Sequence, residues 1–152
     1  MERGEPNIRP ARFEDLDRLL ELYRELEGTY PSLEPPARKD AELRFGEVLA
    51  DPRQETLVAE ADGAVIGTLV VAILPNLAHG GAPYAVVENV VIDETRRGQG
   101  AGTLLMRAAV EKVRLAGAYK LTLSANLSRR RAHEFYRRLG LRETHVGFEI
   151  TL

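Results

Sequence analysis

The most informative part of this 152-residue sequence is the run Val86-Val87-Glu88-Asn89-Val90-Val91-Ile92-Asp93-Glu94-Thr95-Arg96-Arg97-Gly98-Gln99-Gly100-Ala101-Gly102. Its first part, up to Ile92, is rich in valine and predicts a strand. Three glycines at alternate positions then lead into an apolar-periodic segment that predicts a helix over Thr103–Leu115. Glycine lets the main chain approach a ligand closely, and the first N–H groups of a helix attract anions. The pattern therefore predicts a phosphate-binding turn between the strand and the helix.

Two common phosphate loops do not fit this turn. A P-loop ends in Gly-Lys followed by Ser or Thr, whereas Gly102 is followed by Thr103 with no lysine. The dinucleotide fingerprint spaces its glycines as Gly-x-Gly-x-x-Gly after the first strand of the fold, whereas this turn has Gly98-x-Gly100-x-Gly102 far along the chain. A tight connection without a ligand is the plainer interpretation. The two arginines directly before the glycines favour the phosphate site.

The same stretch resembles the acetyl-CoA-binding motif of the GNAT family of N-acetyltransferases, which has Arg or Gln, two residues, Gly, one residue, and Gly or Ala. Arg97, Gly100 and Gly102 occupy these places. Tyr119–Ser124 is similar to the family's fifth strand, and Ala132–Leu141 to its last helix and turn. The resemblance implies an acetyl-CoA-dependent enzyme of the α/β class. Its three-layer fold would have a mixed, mostly antiparallel sheet, splayed between the fourth and fifth strands, with helices on both faces.

Length and composition narrow the other possibilities. A single domain over residues 1–152 is expected at this size. A net charge of −2 gives no basic field for nucleic acid. Cysteine is absent, and the three histidines (His79, His133, His145) are scattered, so no metal site is expected. No apolar run approaches the ~20 residues that span a bilayer, and no export signal is seen, which predicts a cytoplasmic protein with no membrane partner.

Periodicity and turn residues predict the order of the elements. An antiparallel three-strand meander is followed by a helix and a parallel strand. The predicted elements are a strand at Ile8–Ala11, helices at Phe13–Glu27 and Ala37–Ala50, a hairpin of Glu55–Ala61 and Ala64–Leu74, a strand at Tyr84–Ile92, the helix and strand named above, a helix at Arg129–Leu139, and a last strand at Thr144–Leu152. Val146, Phe148 and Ile150 in that last strand suit a homodimer.

The resemblance assigns the parts of the cofactor to this sequence. Main-chain N–H groups from Gly98 through Thr103 would hold the pyrophosphate, with Arg96 and Arg97 adding charge at the rim. The unpaired main chain of the fourth strand would bind the pantetheine arm and polarise the thioester carbonyl. The expected cofactor-binding residues are Val90, Val91, Ile92, Arg97, Gly98, Gln99, Gly100, Ala101, Gly102 and Thr103, with Asn126 at the pantetheine amide.

Two side chains are candidates for proton transfer. Glu88 stands in an apolar strand, where a carboxylate must reach solvent or a partner, and strict alternation would place it with Val86, Val90 and Ile92. There it would remove the proton of the substrate ammonium, through a water molecule. Pairing with a neighbouring arginine is an equally open interpretation. Tyr136 matches the tyrosine that protonates the CoA thiolate in many family members, and a core aromatic is the alternative.

The acceptor site is less defined. In the family, the segment between the first two helices overhangs the active site, so Tyr30 and Pro31 are candidate substrate contacts, with an ordinary surface connection as the alternative. Asn89 would orient a polar substrate or cap a strand hydrogen bond. Arg129-Arg130-Arg131 would reach the 3′-phosphate of CoA, bind an anionic acceptor, or form a solvated face.

Two groups within the family resemble this chain most. Residues 123–145 are similar to aminoalkylphosphonate acetyltransferases, and Val87-Glu88-Asn89-Val90 with Ala118-Tyr119-Lys120 to glucosamine-phosphate acetyltransferases. Both groups acetylate small primary amines that carry an anion. The resulting hypothesis is acetyl transfer from acetyl-CoA to such an amine by direct attack in a ternary complex. Acetylation of a protein N-terminus or lysine, and a non-catalytic acetyl-CoA sensor, are the alternatives.

Overall fold

The computed structural model describes residues 4–26 and 36–150. The chain falls into two compact units, Met1–Thr122 and Leu123–Leu152. The single domain expected over residues 1–152 stays a prediction. The elements are β1 Asn7–Pro10, α1 Leu16–Leu26, α2 Arg38–Ala50, β2 Gln54–Ala61, β3 Ala64–Leu74, β4 Tyr84–Ile92, α3 Ala101–Leu115, β5 Leu121–Leu123 and α4 Arg130–Arg138, with 3-10 turns at Phe13–Asp15, His79–Gly81 and Glu94–Arg96.

The five strands form one sheet in the order β1-β2-β3-β4-β5. The first four strands are antiparallel neighbours. β2 and β3 are joined at Asp62 and Gly63, whose φ angles of 54° and 75° are those of a tight hairpin turn. β5 follows α3 and runs parallel to β4, so the mixed and mostly antiparallel sheet predicted from the sequence is confirmed.

Both faces of the sheet are covered by helices. On one face, α1 and α2 pack over Val58 and Val91. α3 contacts β2, β3 and β4 and lies on the opposite face. Its buried residues are Ala101, Leu105, Met106, Ala109 and Val113. The helices of the described ranges include none that is long and apolar enough to cross a membrane.

The last predicted strand, Thr144–Leu152, is wrong for its described part. Residues 144–150 form no strand, and the side chains of Val146, Phe148 and Ile150 are 80%, 96% and 81% exposed. Alternating apolar residues indicate which side of a strand would be buried, but a strand forms only where a neighbouring edge accepts its hydrogen bonds. No strand of the described ranges pairs with this segment. The homodimer suggested by these residues stays a prediction.

A buried ion pair fastens β1 to the start of α1. The Arg9 guanidinium donates to both oxygens of Asp15 at 2.8 and 3.0 Å and to Glu60 at 2.7 Å. The main-chain N–H of Arg12 donates to Asp15 at 2.7 Å. Asp15 is only 6% exposed. Its hydrogen bond with Arg9 is the main reason that the pKa of Asp15 lies below its ordinary value.

Replacing Asp15 by asparagine is expected to lower the free energy of unfolding by about 3 kcal/mol at neutral pH, because Arg9 would lose its main partner in a buried position. Since folding lowers the pKa of Asp15, the carboxylate stabilises the fold above its unfolded pKa of about 3.9, and this contribution disappears as the pH falls through the folded pKa. Urea unfolding at neutral pH and at about pH 3 should therefore show the two proteins converging in acid. Asp40→Asn, at an exposed position of α2, is the control and should change little at either pH.

Candidate active site

A β-bulge interrupts β4 in front of the glycine turn. Val70 of β3 pairs with Glu88, whereas Thr68 pairs with Val91, so β4 holds one residue more than β3 between these two pairs. Asn89 has a φ of 55°, a left-handed conformation that is uncommon for a side chain other than glycine. The bulge marks the point where the strand changes direction and its faces exchange.

The bulge corrects the expected orientation of Glu88. Cross-strand neighbours share a face, so Glu88, opposite Val70, lies on the same face as Val91, opposite Thr68. This is the face covered by α1 and α2. Ile92 pairs with Gly67 and lies on the other face. The prediction that Glu88 shares a side with Val90 and Ile92 is therefore wrong, because the extra residue shifts the alternation by one.

β4 extends beyond its parallel neighbour. The main-chain N–H of Tyr119 donates to Pro83 at 3.0 Å, and that of Ala85 donates to Lys120 at 2.9 Å. Both bonds lie at the start of β4. β5 has 3 residues and β4 has 9, so the half of β4 that contains the bulge is too far along to pair with β5. β4 therefore continues beyond β5, at the place where a splay between the fourth and fifth strands was expected.

Asp93 shapes the beginning of the glycine turn. Its carboxylate accepts hydrogen bonds from the N–H of Thr95 at 2.9 Å and from the hydroxyl of Thr95 at 2.6 Å, which caps the 3-10 turn Glu94–Arg96. The hydroxyl bond is the main cause of the lowered pKa of Asp93. Arg18 of α1 also pairs with this carboxylate. Asp93 therefore joins the end of β4, the turn and α1.

The turn and the first residues of α3 present free main-chain N–H groups. Gly98 and Gly100 have φ angles of 77° and 89°. The first main-chain bond of α3 runs from the N–H of Leu104 to the carbonyl of Gly100 at 3.1 Å. Within the described ranges, no acceptor is recorded for the N–H groups of residues 98–103. Together with the positive end of the helix dipole, these donors form an environment that favours a phosphate group.

The two arginines before the glycines are held by carboxylates. Arg97 donates through Nε to the carbonyl of Ile92 at 3.1 Å and through Nη2 to Glu25 of α1 at 2.9 Å. Arg96 donates to Asp62 of the hairpin turn at 2.8 Å. These contacts fix the turn to α1 on one side and to the β2–β3 hairpin on the other. Their expected charge at the rim of a phosphate site stays a prediction.

The remaining predicted site residues lie elsewhere in the chain. Tyr30 and Pro31 are outside the described residues. Asn126 and Tyr136 belong to the second unit, where the side chain of Asn126 accepts from the N–H and hydroxyl of Ser128 at 2.9 and 2.7 Å. Tyr136 stands beside Phe135, with ring centroids 5.2 Å apart. Over residues 4–26 and 36–150, no group of three or more His, Asp or Glu side chains is placed to hold a metal ion.

Four residues that support the turn were not predicted from the sequence: Arg18, Glu25, Asp62 and Asp93. One signal was present, because an aspartate directly after a strand and two residues before Thr95 is typical of an N-cap. The other three lie 34 to 75 residues from their partners. Nothing in their local sequence indicates these contacts.

The fold and the turn are those of an acetyltransferase. The model of the acetyltransferase (GNAT) family matches residues 18–141, and the chain belongs to this family. It is similar to the aminoalkylphosphonate N-acetyltransferase of Salmonella typhimurium, with 34% identity over 93% of this chain and 88% of that protein. The glucosamine 6-phosphate N-acetyltransferase of Trypanosoma brucei brucei is 34% identical over 53% of this chain and 52% of that protein.

A solved structure from Agrobacterium tumefaciens, which its description places among acetyltransferases, is 36% identical to this chain. The structural match covers 96% of this chain and 99% of the chain from Agrobacterium tumefaciens, with a TM-score of 0.87. The chain is thus an N-acetyltransferase of the GNAT family, whose members use acetyl-CoA as co-substrate.

Proposed function

We propose that this enzyme transfers the acetyl group of acetyl-CoA to the primary amine of a small, anion-bearing molecule, by direct attack in a ternary complex. One observation carries the proposal: the free N–H groups of residues 98–103 lie directly after the bulged strand β4, which extends beyond its parallel neighbour β5. A diphosphate at the turn leaves its attached arm next to the open edge of β4. The family match supports this arrangement.

Main-chain groups of the enzyme would make most of the contacts with acetyl-CoA. The N–H groups from Gly98 to Thr103, including those of Gln99, Ala101 and Gly102, hold the pyrophosphate. Val90, Val91 and Ile92 bind the pantetheine arm, and an N–H of this segment donates to the thioester oxygen. As the amine attacks, negative charge develops on that oxygen, and a donor already in place stabilises it without reorganisation.

Glu88 would accept the proton that the substrate ammonium must lose before it attacks. The side chain is exposed, and the described residues provide it with no ion-pair partner, so the alternative of a strand carboxylate paired with arginine has no support there. Its position beside the bulge also favours this role. The ammonium proton passes through a water molecule to the carboxylate, and the free amine then attacks the thioester carbon.

Tyr136 would supply the proton for the leaving group. When the tetrahedral intermediate collapses, the carbon–sulfur bond breaks and the CoA thiolate takes a proton from the phenol, which is ordinarily protonated at neutral pH. The nitrogen of the new amide releases its extra proton to solvent, from which the phenolate regains one. Asn126 would donate to or accept from the pantetheine amide. Tyr30 and Asn89 would contact the acceptor, and Asn89 is already exposed at the bulge.

The class of acceptor is supported by the two named relatives. One acts on aminoalkylphosphonates and the other on glucosamine 6-phosphate. These substrates share a primary amine and a phosphorus oxyanion on a small molecule. The exposed arginines Arg129, Arg130 and Arg131 have the charge that suits such an anion.

The test is a comparison of matched amines with acetyl-CoA, following the release of free thiol. We expect kcat/KM for 2-aminoethylphosphonate to exceed that for ethanolamine at least tenfold, and that for glucosamine 6-phosphate to exceed that for glucosamine, because an anion bound to arginine contributes about 1.5–3 kcal/mol. Equal values of kcat/KM with the two amines that lack the anion, or faster acetylation of peptides, would contradict the proposal. Tight binding of acetyl-CoA without turnover of any amine would point to a sensor instead.

A further inference from the structure

Tyr23 of α1 carries a phenol that the proposed mechanism does not use. Its side chain is half-buried and packs against the core that includes Leu19, Leu22 and Val91. The phenol interacts with the hydroxyl of Thr68 on β3, and Thr68 is 0% exposed. Two apolar side chains would fill the same space without taking two hydroxyls out of water, so a polar pair is unusual at this place.

The direction of the hydrogen bond between the two hydroxyls is fixed by a third group. The hydroxyl of Thr68 donates to the main-chain carbonyl of Leu57 at 2.8 Å. A hydroxyl has one proton, so the phenol of Tyr23 donates to the Thr68 oxygen. Burial raises the pKa of Tyr23 above its ordinary value, which keeps that proton in place at neutral pH. The phenol oxygen of Tyr23 can therefore take part in a further hydrogen bond only as an acceptor.

Tyr23 contacts the sheet on the same face as the proposed base Glu88. Thr68 pairs with Val91, and Val70 pairs with Glu88. Residues two apart on a regular strand share a face and are about 7 Å apart along it. The partner of the phenol and the partner of Glu88 are thus about the length of a small amine from each other, on the face covered by α1 and α2.

An accepting oxygen beside a general base suits a substrate ammonium. An ammonium group has three N–H donors, and the proposed transfer to Glu88 uses one of them. A neutral phenol oxygen can accept a second N–H without taking its proton, because a phenol is a very weak base. The same phenol does not suit an anion, since its only proton is bound to Thr68. The position therefore favours the nitrogen end of an acceptor molecule.

We infer that the phenol oxygen of Tyr23 accepts a hydrogen bond from the nitrogen of the acceptor substrate, and that Thr68 orients the phenol for this contact. Tyr23 is then a substrate-positioning residue that holds the amine beside Glu88 and takes no part in proton transfer. This inference rests on the proposed function, because it takes the acceptor to be a small amine and Glu88 to be its base.

Steady-state kinetics of Tyr23→Phe with 2-aminoethylphosphonate and with glucosamine 6-phosphate test the inference. Phenylalanine keeps the ring and its packing and removes only the hydroxyl. KM for both amines is expected to rise about tenfold, because a hydrogen bond from a charged donor is lost. The contact is made equally before and during attack, so kcat should change less than about twofold. The affinity for acetyl-CoA, measured by calorimetry, should stay at the wild-type value.

Variants of Thr68 provide a second readout. Thr68→Val keeps the shape of the side chain and removes the hydroxyl that orients the phenol, so KM for the amine should rise about threefold. Thr68→Ser restores the hydroxyl and should keep the wild-type KM. A double variant of Tyr23→Phe and Thr68→Val should be no worse than Tyr23→Phe alone, because both changes remove the same contact.

Tyr84→Phe is the matched control. Tyr84 is also half-buried and lies at the start of β4, so its replacement removes the same hydroxyl at the far end of the strand and should leave KM unchanged. Tyr23→Phe should also keep the ratio of kcat/KM between 2-aminoethylphosphonate and ethanolamine, because the phenol contacts the nitrogen and not the anion.

Four results would overturn the inference. They are a wild-type KM in Tyr23→Phe, a loss of kcat or of acetyl-CoA affinity as large as the rise in KM, a loss of the preference for the phosphonate, and additive effects in the double variant.

The wild-type rates separate the failure of this inference from that of the proposed function. If the wild type acetylates these amines and Tyr23→Phe has the same KM, only the role of Tyr23 is overturned. If the wild type acetylates neither amine, the proposed function fails, and the role of Tyr23 with it.

Discussion

Replacing Gly100 by valine is expected to reduce the affinity for acetyl-CoA about a hundredfold while the protein remains folded. Gly100 is the residue before α3 and has a φ of 89°. No atom lies within 4 Å of the place where a Cβ would stand, so a Cβ at this position meets no steric obstacle. The effect comes from the main chain, because a left-handed conformation costs an L-residue about 1–2 kcal/mol and a β-branched one more.

The strain of Gly100→Val is relieved by rotation of the neighbouring peptide groups. This rotation would turn the N–H groups around the turn away from one another, and hydrogen bonds to a charged acceptor contribute about 1.5–3 kcal/mol each. Loss of two such bonds gives about 3 kcal/mol, or a hundredfold in the dissociation constant. Isothermal calorimetry with acetyl-CoA measures this change directly.

Gly117→Val is the matched control for Gly100→Val. Gly117 follows the opposite end of the same helix, has a φ of 71°, and is equally free of neighbours at its Cβ position. Both variants should lose a similar amount of stability, somewhat more than the about 1–2 kcal/mol of an unbranched residue, but Gly117→Val should bind acetyl-CoA as the wild type does. Wild-type affinity in Gly100→Val, or an equal loss in both variants, would show that the turn is not the cofactor site.

Replacing Glu88 by glutamine is expected to lower kcat about a hundredfold at neutral pH, the smaller end of the effect of a general base, with the affinity for acetyl-CoA unchanged. Glutamine keeps the size and polarity of the side chain but accepts no proton. The loss should shrink as the pH rises toward the pKa of the acceptor amine, because an amine that is already neutral needs no base. Steady-state rates over a range of pH measure both effects.

Glu94→Gln provides the comparison for Glu88→Gln. Glu94 is also exposed and lies just beyond the end of the same strand, so its replacement removes the same charge near the glycine turn. A general base at Glu88 requires that Glu94→Gln keep nearly full activity. A loss of less than threefold in Glu88→Gln, or equal losses in both variants, would remove Glu88 from the mechanism.

The course of β4 shows how far local patterns can be trusted. The strand bounds Tyr84–Ile92 and the helix after the glycines were predicted from valine-rich and periodic segments, and both are confirmed. The orientation of Glu88 was predicted by strict alternation and is wrong, because one extra residue at Asn89 exchanges the faces of the strand. A bulge depends on the register with β3, which no local pattern of β4 contains.

The C-terminal segment also shows a limit of prediction from local sequence patterns. Val146, Phe148 and Ile150 alternate with polar residues as strand residues do, yet residues 144–150 form no strand. The alternation is a property of the segment, whereas the partner edge that would accept its hydrogen bonds is a property of the assembled sheet. A local pattern can therefore name a candidate strand and still leave its pairing undecided.

The order of residues alone was enough to predict the glycine turn, the helix behind it and the family. These features are local, because the glycines of the turn and the start of the helix lie within a few residues of one another. The face on which Glu88 stands and the ion pairs of Arg18 and Glu25 with the turn became visible only in the folded protein. They depend on residues far apart in the chain, which packing of the helices against the sheet brings within hydrogen-bonding distance.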